Sequence, residues 1–495
     1  MSFPIIGPNS RAYEDWNSRG VNLRFKGHPS AIIPITSMDA LSNALQYAVN
    51  TRQRLAVRSG GHCLENFVDD PSVKILIDIS GMKGIRYNAA MNAIEVQAGN
   101  TLGELYETLF TTWGTVLPAG EYPGVGVGGH IPGGAFGFLC RQYGLGVDHL
   151  YAVEMLWVNK DRQVQMIVAT RTNTDKNREL WWAHTGGGAG NFGLVTRYWF
   201  RTPGVHSSDP RKLLPAAPVM VETLELEWYW NDIDENIFQR LVGNFCNWSR
   251  DNARPGAKSC ALYATLFLAN RTAGKIQLKA LLTDLSDELR TDFVQALQTD
   301  IDITCHVKRT RLGWLAFALH PFPDIFSDQK AAFKAKDAFL CAPLTSQQIG
   351  VIYQHLTTTE DMPGGLVGLT TYGGQVNTVA ADATAAVQRG AILTTACMAG
   401  WGDASQEGRC LDWVRTCYRD LFADTGGVPV PGGCIIAHPD NDMDDPQWNT
   451  SGLPWHSFYY KDNYARLQRV KAAWDPCDIF RHRLGVEAGV SMPKS

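Results

Sequence analysis

Two glycine-dense runs limit what this chain can fold into more than any other feature. The first, Arg58-Ser59-Gly60-Gly61-His62, follows the apolar string Leu55-Ala56-Val57 and predicts a strand that ends in a tight turn. Adjacent glycines let the backbone approach a ligand closely, and their amides are suited to holding phosphate. His62, directly after the turn, points at whatever the turn holds. The second run, Gly124-Val125-Gly126-Val127-Gly128-Gly129-His130-Ile131-Pro132-Gly133-Gly134, predicts a longer cradle of the same kind. Neither run has the dinucleotide-fingerprint or P-loop spacing, so an ordinary Rossmann or kinase site is not indicated.

The 495 residues suffice for two domains and a large core. A formal net charge of −4, with no basic run, gives no long-range pull towards nucleic acid or anionic membranes. The apolar stretches are strand-length, well short of the roughly 20 residues of a membrane span. The start, Met1 to Ser10, lacks the charged and apolar regions of a secretory signal, which predicts a cytoplasmic protein; a secreted mature form is the alternative. Eleven cysteines occur without a Cys-x-x-Cys pair, as expected of reduced, packed thiols and not of zinc or disulfides.

The text alternates between short β strings and helices, an α+β pattern. Asp39–Asn50 has helical spacing, Val73–Asp78 and Ala93–Gln97 read as strands, and Leu102–Leu109 reads as a helix capped by Thr101. Tyr151–Val158 and Gly193–Phe200 are further strands. A proline-rich turn cluster from Thr202 to Pro218 marks a boundary. Beyond it come longer helices, Ser286–Gln298 with Ser286 as N-cap, and Thr345–Leu356 with a Thr345…Gln348 capping box. The expected domains are 1–205, 206–444 for substrate binding, and 445–495 returning to complete the first.

Further runs recur in a characteristic order: Leu117-Pro118-Ala119-Gly120, Arg141-Gln142-Tyr143-Gly144-Leu145, Val147-Asp148, Gly186-Gly187-Gly188-Ala189-Gly190-Asn191-Phe192-Gly193, and Tyr459-Tyr460-Lys461-Asp462-Asn463-Tyr464 with Asp475-Pro476 and Phe480-Arg481. With the two glycine runs they make a chain that resembles the berberine-bridge-enzyme-like FAD oxidases of the vanillyl-alcohol-oxidase superfamily, especially microbial oxidases of sugars and secondary metabolites. The resemblance implies a PCMH-type FAD-binding fold with the cofactor bonded covalently to His62. It also implies flavin contacts from Arg58, Ser59, Gly60, Gly61, Tyr122, Val125, Gly128, Gly129, His130, Gly133, Gly134, Asn191, Val195, Tyr460 and Asn463. The pyrophosphate is expected on backbone amides near 58–61 and 128–134. Val125 occupies the place that governs oxygen access, and valine there goes with oxidases. For His130 the resemblance implies a hydrogen bond to the flavin; a structural bond within its own loop is the competing reading.

The chain departs from the family at two places. Relatives often carry a second flavin link from a cysteine in Gly-x-Cys-Pro; here the run is Gly120-Glu121-Tyr122-Pro123, which implies one covalent link, with Cys63 and Cys140 as packed thiols. Relatives draw the base from an aromatic-Gly-Gly run, here Tyr372-Gly373-Gly374, and from Asn-Tyr-x-Asp, here Ala437-His438-Pro439-Asp440. A histidine is a better base near neutral pH than an unperturbed phenol. His438 is therefore the expected base, with Tyr372 as partner or substrate donor and Tyr460, facing the flavin or lining the cleft, as the third expected catalytic residue; a merely space-filling His438 is the competing reading. The expected reaction is oxidation of an alcohol or glycoside of a ring-bearing secondary metabolite, with dioxygen reduced to hydrogen peroxide. Oxidative cyclisation or desaturation, and a non-redox FAD-binding cyclase, are the alternatives.

Overall fold

The apolar strings beside the first glycine turn become a small parallel sheet. In the computed structural model, which describes residues 3–324, 330–358, 362 and 364–489, β1 (Ala31–Pro34), β2 (Leu55–Arg58) and β3 (Ile75–Asp78) lie in the order β1-β3-β2. Parallel strands need a crossover. The helix Met38–Thr51 supplies it between β1 and β2, burying Leu41, Ala44, Leu45, Ala48 and Val49 at helical spacing. Ser37 caps it by accepting from the Ala40 amide at 3.4 Å. Register pairs Arg58 with Asp78, so the glycine turn leaves the carboxyl end of the sheet, where open parallel sheets bind ligands.

A second, antiparallel sheet has five strands, β4 (Ile85–Asn88), β5 (Ala93–Gln97), β6 (Leu150–Val158), β7 (Val164–Thr170) and β8 (Leu194–Phe200), in the order β4-β5-β8-β6-β7. Between β5 and β6 come the helix Leu102–Trp113, with a reciprocal Thr101–Glu104 capping box, and the second glycine run. That run is not an open loop. It coils into a one-turn helix, Val127–His130, followed by a 3-10 turn, Ile131–Gly133.

The third sheet is antiparallel and seven-stranded: β9 (Met220–Tyr229), β10 (Leu262–Ala269), β11 (Lys275–Leu282), β12 (His306–Gly313), β13 (Ala332–Leu340), β14 (Leu366–Thr371) and β15 (Leu393–Trp401), in the order β12-β9-β11-β10-β14-β15-β13. Helices Glu235–Asp251, Asp287–Gln298, Ser346–Thr357 and Glu407–Leu421 accompany it. Thr345 and Gln348 form the expected capping box, whereas Ser286 stands at the N-cap of its helix without a side-chain bond.

One continuous apolar core, from Phe3 to Val486, joins the halves of the molecule. A separate cluster of Tyr13, Ile32, Ala56, Val73 and Leu76 packs on the other face of the parallel sheet. The chain reaches back to its first half well before residue 445. Trp182 Nε1 donates to the Asp382 carbonyl at 2.9 Å, and Arg389 clasps Asp148 at 2.6 and 3.0 Å. The last helix, Tyr464–Trp474, is tied in by buried Lys471, which donates to the carbonyls of Asn191 (3.0 Å) and Phe480 (2.5 Å) and to Asp475 (2.6 Å). Among the described residues no helix is long and apolar enough to cross a membrane.

His184, at the end of the helix Arg178–Ala183, is buried and hydrogen-bonded to the Leu180 carbonyl. Burial pushes its pKa down to about 4. The unfolded chain therefore binds a proton here that the folded chain rejects, and stability falls as pH drops from about 6.5 towards 4. Equilibrium unfolding between pH 4.5 and 7 is expected to show this slope, and His184→Gln to flatten it.

Candidate active site

The two glycine runs meet backbone to backbone. A Cβ on Gly60 would stand 2.2 Å from the Gly126 nitrogen, and one on Gly126 would stand 2.2 Å from the Gly60 nitrogen and 2.5 Å from Ser59 Oγ. Ser59 Oγ donates to the Ala98 carbonyl at 2.7 Å. Gly61 is left-handed, at φ 75°. Arg58, expected among the flavin contacts, is turned inward: its Nε lies 2.7 Å from Asp78 Oδ2, with both side chains 1% exposed, and Nη2 donates to the Trp16 carbonyl. It braces the turn from beneath.

The amides of the second run also differ from expectation. Those of Gly128, Gly129, His130 and Gly134 donate to the carbonyls of Ala98, Gly126, Gly126 and Ile131. The glycines here make room instead of offering free donors. A Cβ on Gly133 would lie 2.8 Å from Ala437 Cβ, and one on Gly134 would lie 3.1 Å from Ile435 Cδ1, whereas at Gly129 nothing lies within 4 Å. The small Ala437 thus lets the segment carrying His438 settle directly on the second glycine run.

Three histidines from distant segments converge as a result. Burial, aided by the charges of His438 and His62, pushes His130 down to about 3, so it is neutral; its Nε2 is enclosed and has no protein partner. The His62 and Tyr122 rings are 6.4 Å apart. His438 Nδ1 makes a short ion-pair contact with Asp337 Oδ2. Burial alone would lower the His438 pKa, but the charge and hydrogen bond of Asp337, with a contribution from Glu121, raise it above the ordinary imidazole value.

An aromatic wall stands beside His438. Phe136 packs edge-on against His438 (5.7 Å), Tyr372 (6.0 Å) and Phe339 (6.3 Å). Tyr372 is fully buried with its hydroxyl unpartnered, and burial raises its pKa well above that of a free phenol. Glu121 accepts a short hydrogen bond from the Tyr263 hydroxyl. Burial raises the Glu121 pKa, against the pull of Tyr263 and His438. Asp337, Glu121 and Tyr263 were not singled out by sequence reasoning. The available signal for Asp337 was the charged text Lys334-Ala335-Lys336-Asp337 inside an otherwise apolar strand.

Other expected residues make contacts within the chain. Tyr460 donates to the Gly187 carbonyl at 3.1 Å, and Asn191 Nδ2 to the same carbonyl at 3.0 Å, while Asn191 Oδ1 accepts from the Val486 amide. Asn463 Nδ2 holds the carbonyls of Ala381 and Thr384. Val195 lies in β8 opposite Met155, and the Val125 carbonyl accepts from the Leu102 amide. All eleven cysteines are free thiols; burial pushes both Cys63 and Cys140 up to about 12, which keeps them protonated.

Residues 29–161 match the family model of an FAD binding domain, and residues 436–487 match that of the berberine and berberine-like segment. The chain is 43% identical to the aclacinomycin-N/aclacinomycin-A oxidase of Streptomyces galilaeus, over 96% of this chain and 88% of the relative. The chain belongs to the berberine-bridge-enzyme-like FAD-linked oxidases. Its fold agrees with solved members. A glycopeptide hexose oxidase complexed with teicoplanin superposes with a TM-score of 0.94 at 40% identity, covering 98% of this chain and 99% of the other. A flavoenzyme of shunt product recycling in caerulomycin biosynthesis gives 0.95 at 39%, covering 98% and 99%. The protein is thus an FAD-dependent oxidoreductase with the α+β, PCMH-type fold. The site suits that cofactor: His130 Nε2 and the Tyr372 hydroxyl are enclosed without protein partners, and the space at Gly129 is open.

The glycine contact is testable by stability. Gly126→Ala forces two backbones apart and is expected to cost about 1–3 kcal/mol in chemical denaturation. Gly129→Ala, which meets nothing within 4 Å, is expected to stay within about 0.5 kcal/mol of wild type.

Proposed function

We propose that this protein oxidises a carbinol of a secondary-metabolite alcohol or glycoside, with FAD held by one covalent link through His62. The observation that carries the reading is the His438–Asp337 pair, seated on the second glycine run beside His130 and His62. When bound, FAD supplies the two-electron acceptor and passes the electrons to dioxygen as hydrogen peroxide. His438 takes the hydroxyl proton of the substrate, and Asp337 orients the ring through Nδ1, leaving Nε2 as the atom that receives it. The proton and the hydride equivalent leave together, and the carbinol becomes a carbonyl.

Tyr372 contributes a hydroxyl with no competing protein partner, suited to a hydrogen bond with the bound substrate or cofactor. Phe136 and Phe339, packed edge-on against Tyr372, make the surroundings of His438 apolar, which suits a ring-bearing molecule. His130, neutral and enclosed, is a hydrogen-bonding partner for the flavin. Tyr122 occupies the place beside His62 where relatives carry the second link; a phenol forms no thioether, and Cys63 and Cys140 are protonated. Tyr460 donates its hydroxyl to the Gly187 carbonyl, which fixes its ring beside the glycine cluster at 186–193. The support for substrate class is the company the chain keeps, oxidases named for aclacinomycin and for glycopeptide hexose. The similarity to proteins named as oxidases favours oxidation over a non-redox role for the site.

Two measurements test this reading. Acid-denatured wild type is expected to keep an FAD mass increment and yellow colour, and His62→Ala to lose both; release of all flavin by the wild type overturns the link. For the base, kcat is expected to rise with pH along a limb centred above 6.5, because only neutral His438 accepts a proton. Asp337→Asn removes the charge that favours imidazolium, so the limb is expected at lower pH with a lower plateau. A limb unmoved by this change excludes the pair as the base.

A further inference from the structure

On the face of β13 opposite Asp337 lies a buried ion cluster that the proposed reaction does not use. Lys334 and Lys336, two residues apart, point to that face. Lys334 Nζ lies 2.5 Å from Glu65 Oε1 and 2.6 Å from Asp440 Oδ1. Lys336 Nζ lies 2.5 Å from Asp440 Oδ2 and 3.2 Å from Asp442 Oδ2. Arg415 closes the group against Asp442 at 2.9 and 3.0 Å. Asn441 Nδ2 donates to Glu65 Oε2 at 3.0 Å, and the Asp440 amide donates to the Tyr459 hydroxyl at 2.9 Å. Apart from Arg415, every charged side chain here is at most 5% exposed. Three cations meet three anions, so the cluster is neutral as a whole.

Such a group does not justify itself by stability, because desolvating each ion costs much of what the pairing returns, and an apolar filling often does as well. What it does provide is a defined arrangement of the segments that bear the charges. Glu65 lies three residues after His62. Asp440 lies two residues after His438. The lysines sit on the strand whose Asp337 orients His438. That strand is at the edge of its sheet, and the chain from 433 to 440 wraps around its free side. The Phe339 amide donates to the Gly433 carbonyl at 2.9 Å, the Cys434 thiol to the Asp337 carbonyl at 3.1 Å, and then His438 and Asp440 grip opposite faces.

We propose that the cluster is a positioning device that couples the His62 loop to the His438 loop. Lys334–Glu65 is the arm towards the flavin link, and Lys336–Asp440 is the arm towards the base. These residues bond to one another and act through the two histidines. The proposal rests on the function proposed above, and its test is arranged so that the two fail differently.

The experiment disturbs one arm and reads the other, on folded holoenzyme checked by circular dichroism and thermal melting. Glu65→Gln keeps the shape of the flavin-side arm but removes its charge, and the readout is the His438 acid limb with kcat and KM. Lys336→Met alters the base-side arm, and the readout is the fraction of acid-stable flavin. Each is expected to change the distant property: kcat lower by about tenfold with KM within about twofold and a displaced limb for the first, an incompletely linked flavin for the second. Lys336→Met combined with Asp440→Asn restores neutrality and is expected to recover part of the loss, less than additively. A lower melting temperature with the distant property unchanged overturns the coupling, as does strict additivity in the double variant. Should Lys336→Met not fold, Glu65→Gln alone decides. A wild type with no acid-stable flavin and no acid limb overturns the proposed function and the coupling together.

Discussion

The contact between Gly60 and Gly126 is the constraint on which the site depends. Two backbones approach too closely there for any side chain, so the end of the parallel sheet and the start of the short 127–130 helix become a single surface. From that joint follow the placement of His62 beside Tyr122, of His130 against Gly120, and of the Ala437–His438 segment on Gly133. Arg58 supports the joint from beneath by a buried ion pair and a carbonyl contact. Glycine serves at this point because it has no Cβ, and only secondarily because of its flexibility.

Much of this was legible in the sequence because it is local. The strand-turn-histidine text, the Thr101 and Thr345 capping boxes and the helical spacing of 38–51 each lie within a few residues of chain. The segment proposed to carry the base stood out through its departure from a pattern, His438 standing where the resemblance places tyrosine. What was not legible depends on long-range pairing: Asp337 is 101 residues from His438, and Tyr263 is 142 residues from Glu121. No local period announces such partners. Some residue types suit two tasks: Arg58, Asn191, Asn463 and Tyr460 look like ligand-binding side chains, and each also makes a buried bond that ties the fold together.

A histidine at 438, as the proposed base, sets different electrostatics from a tyrosine. A buried phenol is driven further from ionisation by desolvation, as Tyr372 shows, so a tyrosine base needs strong help from its surroundings. An imidazole beside a carboxylate has a neutral form available near physiological pH and becomes a cation stabilised by Asp337 and Glu121 on taking a proton. The raised affinity of Glu121 for its own proton follows first from burial, which disfavours its charged form, with the neighbouring Asp337 adding a smaller push in the same direction.

The tie between Asn191 and the C-terminal segment has a consequence for the order in which the molecule is made. Asn191 is held by the Val486 amide through its side chain and by Lys471 through its carbonyl, while Tyr460 reaches the adjoining Gly187. The glycine cluster at 186–193 therefore lacks these supports until residues 460–486 have been made. Domains that fold during synthesis do so from segments already emerged. Here the first half is laid down early but is closed by residues 460–486, so the glycine cluster and the segment that supports it are distant in the chain and joined only in the fold.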